Sequence, residues 1–263
     1  MKVAILAGGK GARFLEETQH RPKPMIGIGG RPILWHVMQG YAAQGFHEFV
    51  LALGYKGDAI RTWFEEQGRT GVGGVPHDPA QNAVPSGAGA ARWTVDLVDT
   101  GAETQTGGRL KALAPALGDE TFLMAYADGL SDVDAHALLA FHRADGKIAT
   151  MVVVHPPARF GHVALDGDRI SRFEEKPTRS DEWINAGIFV LEPAVFDYID
   201  GPATPFEGPP LEALAREGEL MAFRHEGFWQ CMDTMHDRRI LEEIWASGAA
   251  PWDNWSSGSC GHS

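Results

Sequence analysis

Short apolar runs bounded by glycine or by charge recur along the chain, and the stretches between the first of them carry helical spacing. Residues 3–6 form the opening run, apolar and partly β-branched as a buried parallel strand is, and Gly8, Gly9 and Gly11 follow at once. Residues 32–41 begin with a proline suited to a first helical turn and space Ile33, Val37 and Tyr41 along one face. The run at 49–53 is a second buried-strand candidate ended by Gly54, and 58–66 predicts a helix with Ile60, Trp63 and Phe64 turned inward. Strand and helix in alternation predict a parallel sheet.

The pattern lapses over 68–91, where glycine, proline, alanine and polar residues dominate. This irregular arm reads either as a disordered insertion or as a lid or subunit contact. Alternation resumes at 93–98 as a strand, and 106–117 predicts a helix with Arg109 in its first turn. A cation at the positive end of a helix is out of place unless an anion sits nearby. Residues 121–126 are another buried-strand candidate, ending in Ala127-Asp128-Gly129, and a strand's carboxyl end is where open α/β sheets bind ligands. Further on, the pattern predicts a helix at 135–144, a strand at 149–154 and a hairpin of 163–165 with 170–173 about Asp166-Gly167-Asp168. A strand at 183–191, a helix at 211–217, short strands at 221–223 and 228–230 and a helix at 237–246 complete the order. The tail from Pro251 is expected to pack its tryptophans and leave its end loose.

With 263 residues and no internal repeat, the chain is expected to fold as one α/β domain. Its formal charge of -12 argues against a nucleic-acid or anionic-membrane surface and makes basic residues in the Gly-rich stretch stand out. Cys231 and Cys260 make no disulfide framework, and no leader resembling a secretion signal opens the chain. No apolar stretch approaches the roughly 20 residues that a membrane-spanning helix needs. The expectation is a cytoplasmic protein.

The candidate chemistry begins in the opening loop. Gly8-Gly9-Lys10-Gly11 is neither a phosphate-binding loop ending in Gly-Lys-Ser/Thr nor a dinucleotide fingerprint, so by itself it is an ordinary tight turn or a phosphate cradle. Arg13 and Lys23 follow closely, and Pro22 and Pro24 restrict the backbone around Lys23, which suits a cation that must point at one place. Asp128 alone reads as a cap or as a metal ligand, and so does Asp233 ahead of Thr234. The histidines show no zinc spacing, Cys231 reads as a small buried or half-buried side chain in preference to a reactive thiol, and most of the eight tryptophans read as core or interface anchors.

Ala7-Gly-Gly-Lys-Gly-Ala-Arg with Arg21-Pro-Lys-Pro-Met resembles the nucleotide loop of the sugar-phosphate nucleotidylyltransferases, whose usual form has Thr where Ala12 stands. Gly29-Gly-Arg-Pro-Ile-Leu-Trp-His, Gly54-Tyr-Lys-Gly, Val98-Asp-Thr-Gly, Thr106-Gly-Gly-Arg-Leu, Phe160-Gly, Phe173-Glu-Glu-Lys-Pro, Gly227-Phe-Trp-Gln and Met232-Asp-Thr are similar to that family's branch acting on CTP and glucose 1-phosphate. The resemblance implies a Rossmann-like nucleotidyltransferase fold, with a mixed, mostly parallel central sheet and a small β-rich extension. It also implies a nucleotide-binding part at about 1–130, a sugar-phosphate part at about 131–235 and a closing helix and tail at 236–263.

For the site, the resemblance implies nucleotide contacts from Leu6, Ala7, Gly8, Gly9, Gly11, Arg13, Lys23, Arg109 and Asp128, with Lys23, Arg13 and Asp128 at the reacting centre. Tyr126, Glu175, Lys176, Asn185 and Gly187 would line the sugar-phosphate pocket, and Asp128 and Asp233 would share a Mg²⁺. The implied partners are CTP and a sugar 1-phosphate, in a homo-oligomer for which a hexamer is one size. Such chemistry needs no protein nucleophile, only shielding of phosphate charge and in-line positioning. Rival readings are the same reaction on another pyrimidine nucleotide or sugar phosphate, a binding module without turnover, and a dehydrogenase, which the missing fingerprint disfavours.

Overall fold

The structure is a computed structural model that describes residues 1–9, 21–66, 71–72, 84–85, 92–156, 162–174 and 182–256. The strands are β1 (Lys2–Leu6), β2 (Gly27–Ile28), β3 (Arg31–Pro32), β4 (Glu48–Leu53), β5 (Gly71–Val72), β6 (Val84–Pro85), β7 (Arg92–Asp99), β8 (Phe122–Tyr126) and β9 (Gly129–Ser131). They continue as β10 (Ala149–Val154), β11 (His162–Asp166), β12 (Arg169–Glu174), β13 (Ile184–Leu191), β14 (Leu220–Arg224) and β15 (Trp229–Cys231). The α-helices are α1 (Ile33–Ala42), α2 (Gly57–Glu66), α3 (Thr106–Ala112), α4 (Ala114–Leu117), α5 (Ala135–Asp145), α6 (Pro209–Arg216) and α7 (Met235–Ala246).

The main sheet runs β14-β10-β13-β8-β1-β4-β7-β5, with β6 also on β7. Neighbours along that order pair in parallel except at β13, which is antiparallel to both β10 and β8. β1 therefore lies at a switch point: the chain proceeds outward through β4 and β7, then returns to place β8 on β1's other edge. Crevices at the carboxyl ends of strands form where the order reverses in this way.

Both faces of the sheet are covered, which is why its strands read as continuous apolar runs. Val3 and Ile5 of β1 join a core with α1, α2 and the segment Pro251–Ser256, whereas Ala4 and Leu6 join a second core with Leu110, Leu113, Leu117 and Phe189. Successive side chains on a strand point to opposite faces, so the four buried residues of β1 anchor both cores.

Three expectations change. The helix expected over 106–117 is two, because Pro115 at the start of α4 cannot donate to the turn before it and the chain resets at Leu113. The last helix starts at Met235 rather than 237, since Thr234 caps it and Asp237 closes a capping box. The apolar pattern also missed β2, β3, β9 and the 3₁₀ turn Pro193–Tyr198, all too short to establish a period. Of the arm at 68–91, β5 and β6 edge the sheet and the rest lies outside the described residues.

Candidate active site

At the carboxyl ends of β1 and β8 a cavity of about 440 Å³ opens, lined by Leu6, Ala7, Gly8 and Gly9 on one side and by Tyr126, Ala127 and Asp128 on the other. Lys23 and Arg109 also line it. The first glycines serve different ends. A Cβ on Gly8 would lie 2.4 Å from Nη1 of Arg109 and 2.9 Å from the backbone N of Gly54, so glycine is required by packing. A Cβ on Gly9 would meet nothing within 4 Å, so that position keeps the cavity wall low.

Lys23 opens a single 3₁₀ turn, Lys23–Met25, after an extended Pro22. Its ammonium lies 2.7 Å from Oδ2 of Asp128 and 2.6 Å from Oδ1 of Asp233, with the lysine side chain only 12% exposed. Burial pushes its pKa down, but the two carboxylates outweigh burial and the net is a raised value. The ammonium is therefore permanent.

The aspartates come from distant parts of the chain, and the short ladder between β9 and β15 aligns them. Cys231 faces Gly129 in that ladder, and Met232 N donates to Asp128 O at 2.8 Å. Asp237, 4% exposed, then fixes the loop: its Oδ2 accepts from the backbone N of Asp233 at 3.1 Å and of Thr234 at 2.8 Å. The cap of α7 is thus Thr234 with Asp237, which leaves the Asp233 carboxylate for Lys23. Cys231 is no thiolate, because burial first, then Asp233 and Asp128, push its pKa up to about 12.

Two carboxylates converging on one cation are hard oxygen donors of the kind that Mg²⁺ takes from protein, with phosphate oxygens and water completing its shell. Among the described residues no group of three or more His, Cys, Asp or Glu could hold a metal, so further ligands would have to come from substrate or water. The residues present fit a magnesium site at Asp128 and Asp233.

Arg109 is braced by backbone and hydroxyl acceptors. It sits fourth in the seven-residue α3, 4% exposed, and its Nη1 donates to Leu53 O at 3.2 Å, Thr100 Oγ1 at 2.7 Å and Gly101 O at 2.8 Å, while Nη2 donates to Ala102 O at 3.2 Å. Its guanidinium ties the end of β4 to the loop after β7 through carbonyls and a hydroxyl; burial works against its charge, and the nearby carboxylates of Asp99 and Glu103 favour it. That loop, residues 102–106, forms a wall of the cavity that the apolar pattern did not mark, although the Val98-Asp-Thr-Gly and Thr106-Gly-Gly-Arg-Leu segments flank it.

Tyr126 lies in the wall between the cavity and β13. Gly187, at φ +75°, lets the ring approach: a Cβ there would lie 2.6 Å from Cδ2 of Tyr126. Asn185 Oδ1 accepts from Gly187 N at 2.7 Å, across an irregularity where β13 shifts its register on β10. Asn185 and Gly187 thus shape the wall from behind. The Tyr126 hydroxyl donates to Oε1 of Glu207, a cavity-lining residue that no pattern had singled out. Gly11, Arg13, Glu175 and Lys176 lie outside the described residues.

A family model described as nucleotidyl transferase matches residues 2–233. The chain belongs to the nucleotidyl transferase family. Glucose-1-phosphate cytidylyltransferase of Salmonella typhi is 46% identical to this nucleotidyl transferase over 257 residues, 97% of this chain and 100% of that protein. Mannose-1-phosphate guanyltransferase of Aspergillus oryzae is 31% identical over 240 residues, 87% of this chain and 60% of that one. The crystal structure of HddC from Yersinia pseudotuberculosis superimposes with a TM-score of 0.67 at 22% identity, covering 93% of this chain and 99% of that one. At that identity the likeness shows the fold, the Rossmann-like nucleotidyltransferase architecture expected from the sequence. Among the described residues no helix is long and apolar enough to cross a membrane.

Proposed function

We propose that the chain joins CTP and α-D-glucose 1-phosphate to give CDP-glucose and pyrophosphate. The observation that carries the chemistry is Lys23 held between Asp128 and Asp233 at the cleft. The choice of CTP and glucose 1-phosphate is supported by likeness over nearly the full length to the Salmonella typhi cytidylyltransferase. A phosphate oxygen of the sugar phosphate attacks the α-phosphorus, the bond from that phosphorus to the bridging oxygen breaks, and pyrophosphate departs with the electron pair. No proton needs to leave a protein nucleophile.

This chain's residues then have electrostatic and positioning tasks. The Gly8–Gly9 backbone admits the nucleotide closely, and the 102–106 loop braced by Arg109 faces it. Lys23 shields charge that develops on the phosphates, at an ammonium whose raised pKa keeps it cationic. Asp128 and Asp233 would hold Mg²⁺, which when bound supplies charge neutralisation on the triphosphate. Because Lys23 already occupies both carboxylates, nucleotide phosphates drawing the ammonium toward themselves would free those oxygens for the metal.

A pyrophosphate-release screen crossing CTP, UTP, dTTP, ATP and GTP with several sugar 1-phosphates tests the reading. The highest kcat/KM is expected for CTP with glucose 1-phosphate. A different preferred pair would correct the substrates, and no turnover with any pair would make the chain a sugar-nucleotide-binding module.

A further inference from the structure

Residues 201–208 form a strap that lies across the start of α3. Gln105 N donates to Pro202 O at 2.8 Å, Gly108 N donates to Thr204 O at 3.2 Å and Phe206 N donates to Thr106 Oγ1 at 2.8 Å. The Gly107-Gly108 pair makes room for it, since a Cβ would lie 2.7 Å from Thr204 O on Gly107 and 2.5 Å from Pro202 Cα on Gly108. Phe206, fully buried, pins the strap against Phe189 at a ring separation of 5.4 Å. Those glycines, the amide of Gly108 and that of the capping Gln105 are therefore committed to the strap rather than to a phosphate.

The residue after the anchor is Glu207, which emerges exposed at the cavity wall. Its Oε2 accepts from Thr106 Oγ1 at 2.5 Å, and its Oε1 accepts from the Tyr126 hydroxyl. Burial, and then the Glu207 charge, hold the phenol protonated, so the tyrosine remains a donor. The strap is already held by Phe206 and three backbone amides, yet the carboxylate is further braced between two hydroxyls on separate elements. An ionised carboxylate offers about four lone-pair sites, of which these partners take two. Such a group repels phosphate and accepts from hydroxyls.

We propose that Glu207 is a specificity-determining residue, accepting hydrogen bonds from the ring hydroxyls of a bound substrate while Lys23 engages its phosphates. Ring hydroxyls come from two sources, the ribose of the nucleotide and the hexose of the sugar phosphate. The inference rests on the nucleotidyl-transfer reading.

Its test compares wild type, Glu207→Gln and Glu207→Ala with CTP against 2′-deoxy-CTP and 3′-deoxy-CTP, and with glucose 1-phosphate against its 2-deoxy and 4-deoxy analogues. A lost hydrogen bond to a charged acceptor lowers kcat/KM by roughly 10- to 100-fold. Glu207→Ala is expected to lose that factor on the hydroxylated substrate and little on one deoxy analogue, so that discrimination at one hydroxyl collapses. The substrate on which it collapses identifies the ring. Glu207→Gln, which keeps one acceptor oxygen, is expected to retain part of the discrimination. Equal losses on every substrate, or unchanged discrimination at every hydroxyl, would overturn the proposal and leave Glu207 a brace for the strap. Wild type that transfers no nucleotide would overturn both this and the parent reading.

Discussion

Lys23 is the residue on which the site turns, because one ammonium bridges two carboxylates that would otherwise repel each other. Lys23→Met should lower kcat by about 10²-fold or more if the ammonium shields the reacting phosphates. The same variant should bind Mn²⁺ in the absence of nucleotide about tenfold more tightly, since a competing cation is gone and the aspartates attract a metal more strongly. Electron paramagnetic resonance of free Mn²⁺ reads this directly, and weaker binding in the variant would contradict the shared-carboxylate picture. Gly8 and Gly9 make a second contrast. Gly8→Ala should lower stability by about 1–3 kcal/mol because the guanidinium of Arg109 lies in its path, whereas Gly9→Ala should stay within about 0.5 kcal/mol of wild type in urea unfolding. The motif alone could not separate them, since both are glycines of one loop and the difference lies with a side chain more than a hundred residues away.

At the scale of elements, the strands of the main sheet were legible wherever burial on both faces forced a continuous apolar run, as in β4, β8 and β10. What stayed hidden depends on partners. β9 is three residues long and exists as a strand because it pairs with β15, which the pattern did mark as a short strand, and that ladder brings Asp128 and Asp233 together. Asp237 belongs to the same unit, and Asp237→Ala should cost about 0.5–2 kcal/mol through the lost cap and also raise the Mg²⁺ concentration needed for half-maximal rate, because the backbone of Asp233 loses its acceptor. An undiminished Mg²⁺ response would confine Asp237 to capping. The carboxyl-terminal segment offers a pH test. The indole of Trp252 can only donate, at 3.3 Å to Nδ1 of His36, so His36 carries its proton on Nε2 and donates to Ile28 O at 2.9 Å. Burial lowers the His36 pKa below its ordinary 6.5. The unfolded chain therefore binds more protons just below pH 6.5, and stability falls as pH drops through that window toward the lowered folded value. Urea midpoints should decline between pH 7.5 and 5.5 in wild type and decline less in His36→Gln.

For the whole molecule, the sequence carried the α/β alternation, the likeness to nucleotidyl transferases and the positions of Lys23, Asp128 and Asp233, because each is either periodic or part of a local motif. The bracing of Arg109 and the presence of Glu207 were not legible for a common reason. Their environments are built from segments remote in sequence, the ends of β4 and β7 for Arg109 and the strap at 201–208 for Glu207. A helix-end charge argument takes account only of the local dipole and not of the carbonyls that other strands deliver. The site likewise depends on the switch point at β1, where two halves of the sheet bring the glycine loop and Asp128 to facing walls of one cavity. The most direct measurement of the central claim is ³¹P nuclear magnetic resonance of CTP and glucose 1-phosphate with Mg²⁺, using wild type, Asp128→Asn and Asp233→Asn. Wild type should convert the pair to CDP-glucose and pyrophosphate in equal amounts, and each variant should be slower by roughly 10²-fold while its far-ultraviolet circular dichroism is retained. Wild-type rates in both folded variants would contradict the assignment of the two aspartates to catalysis.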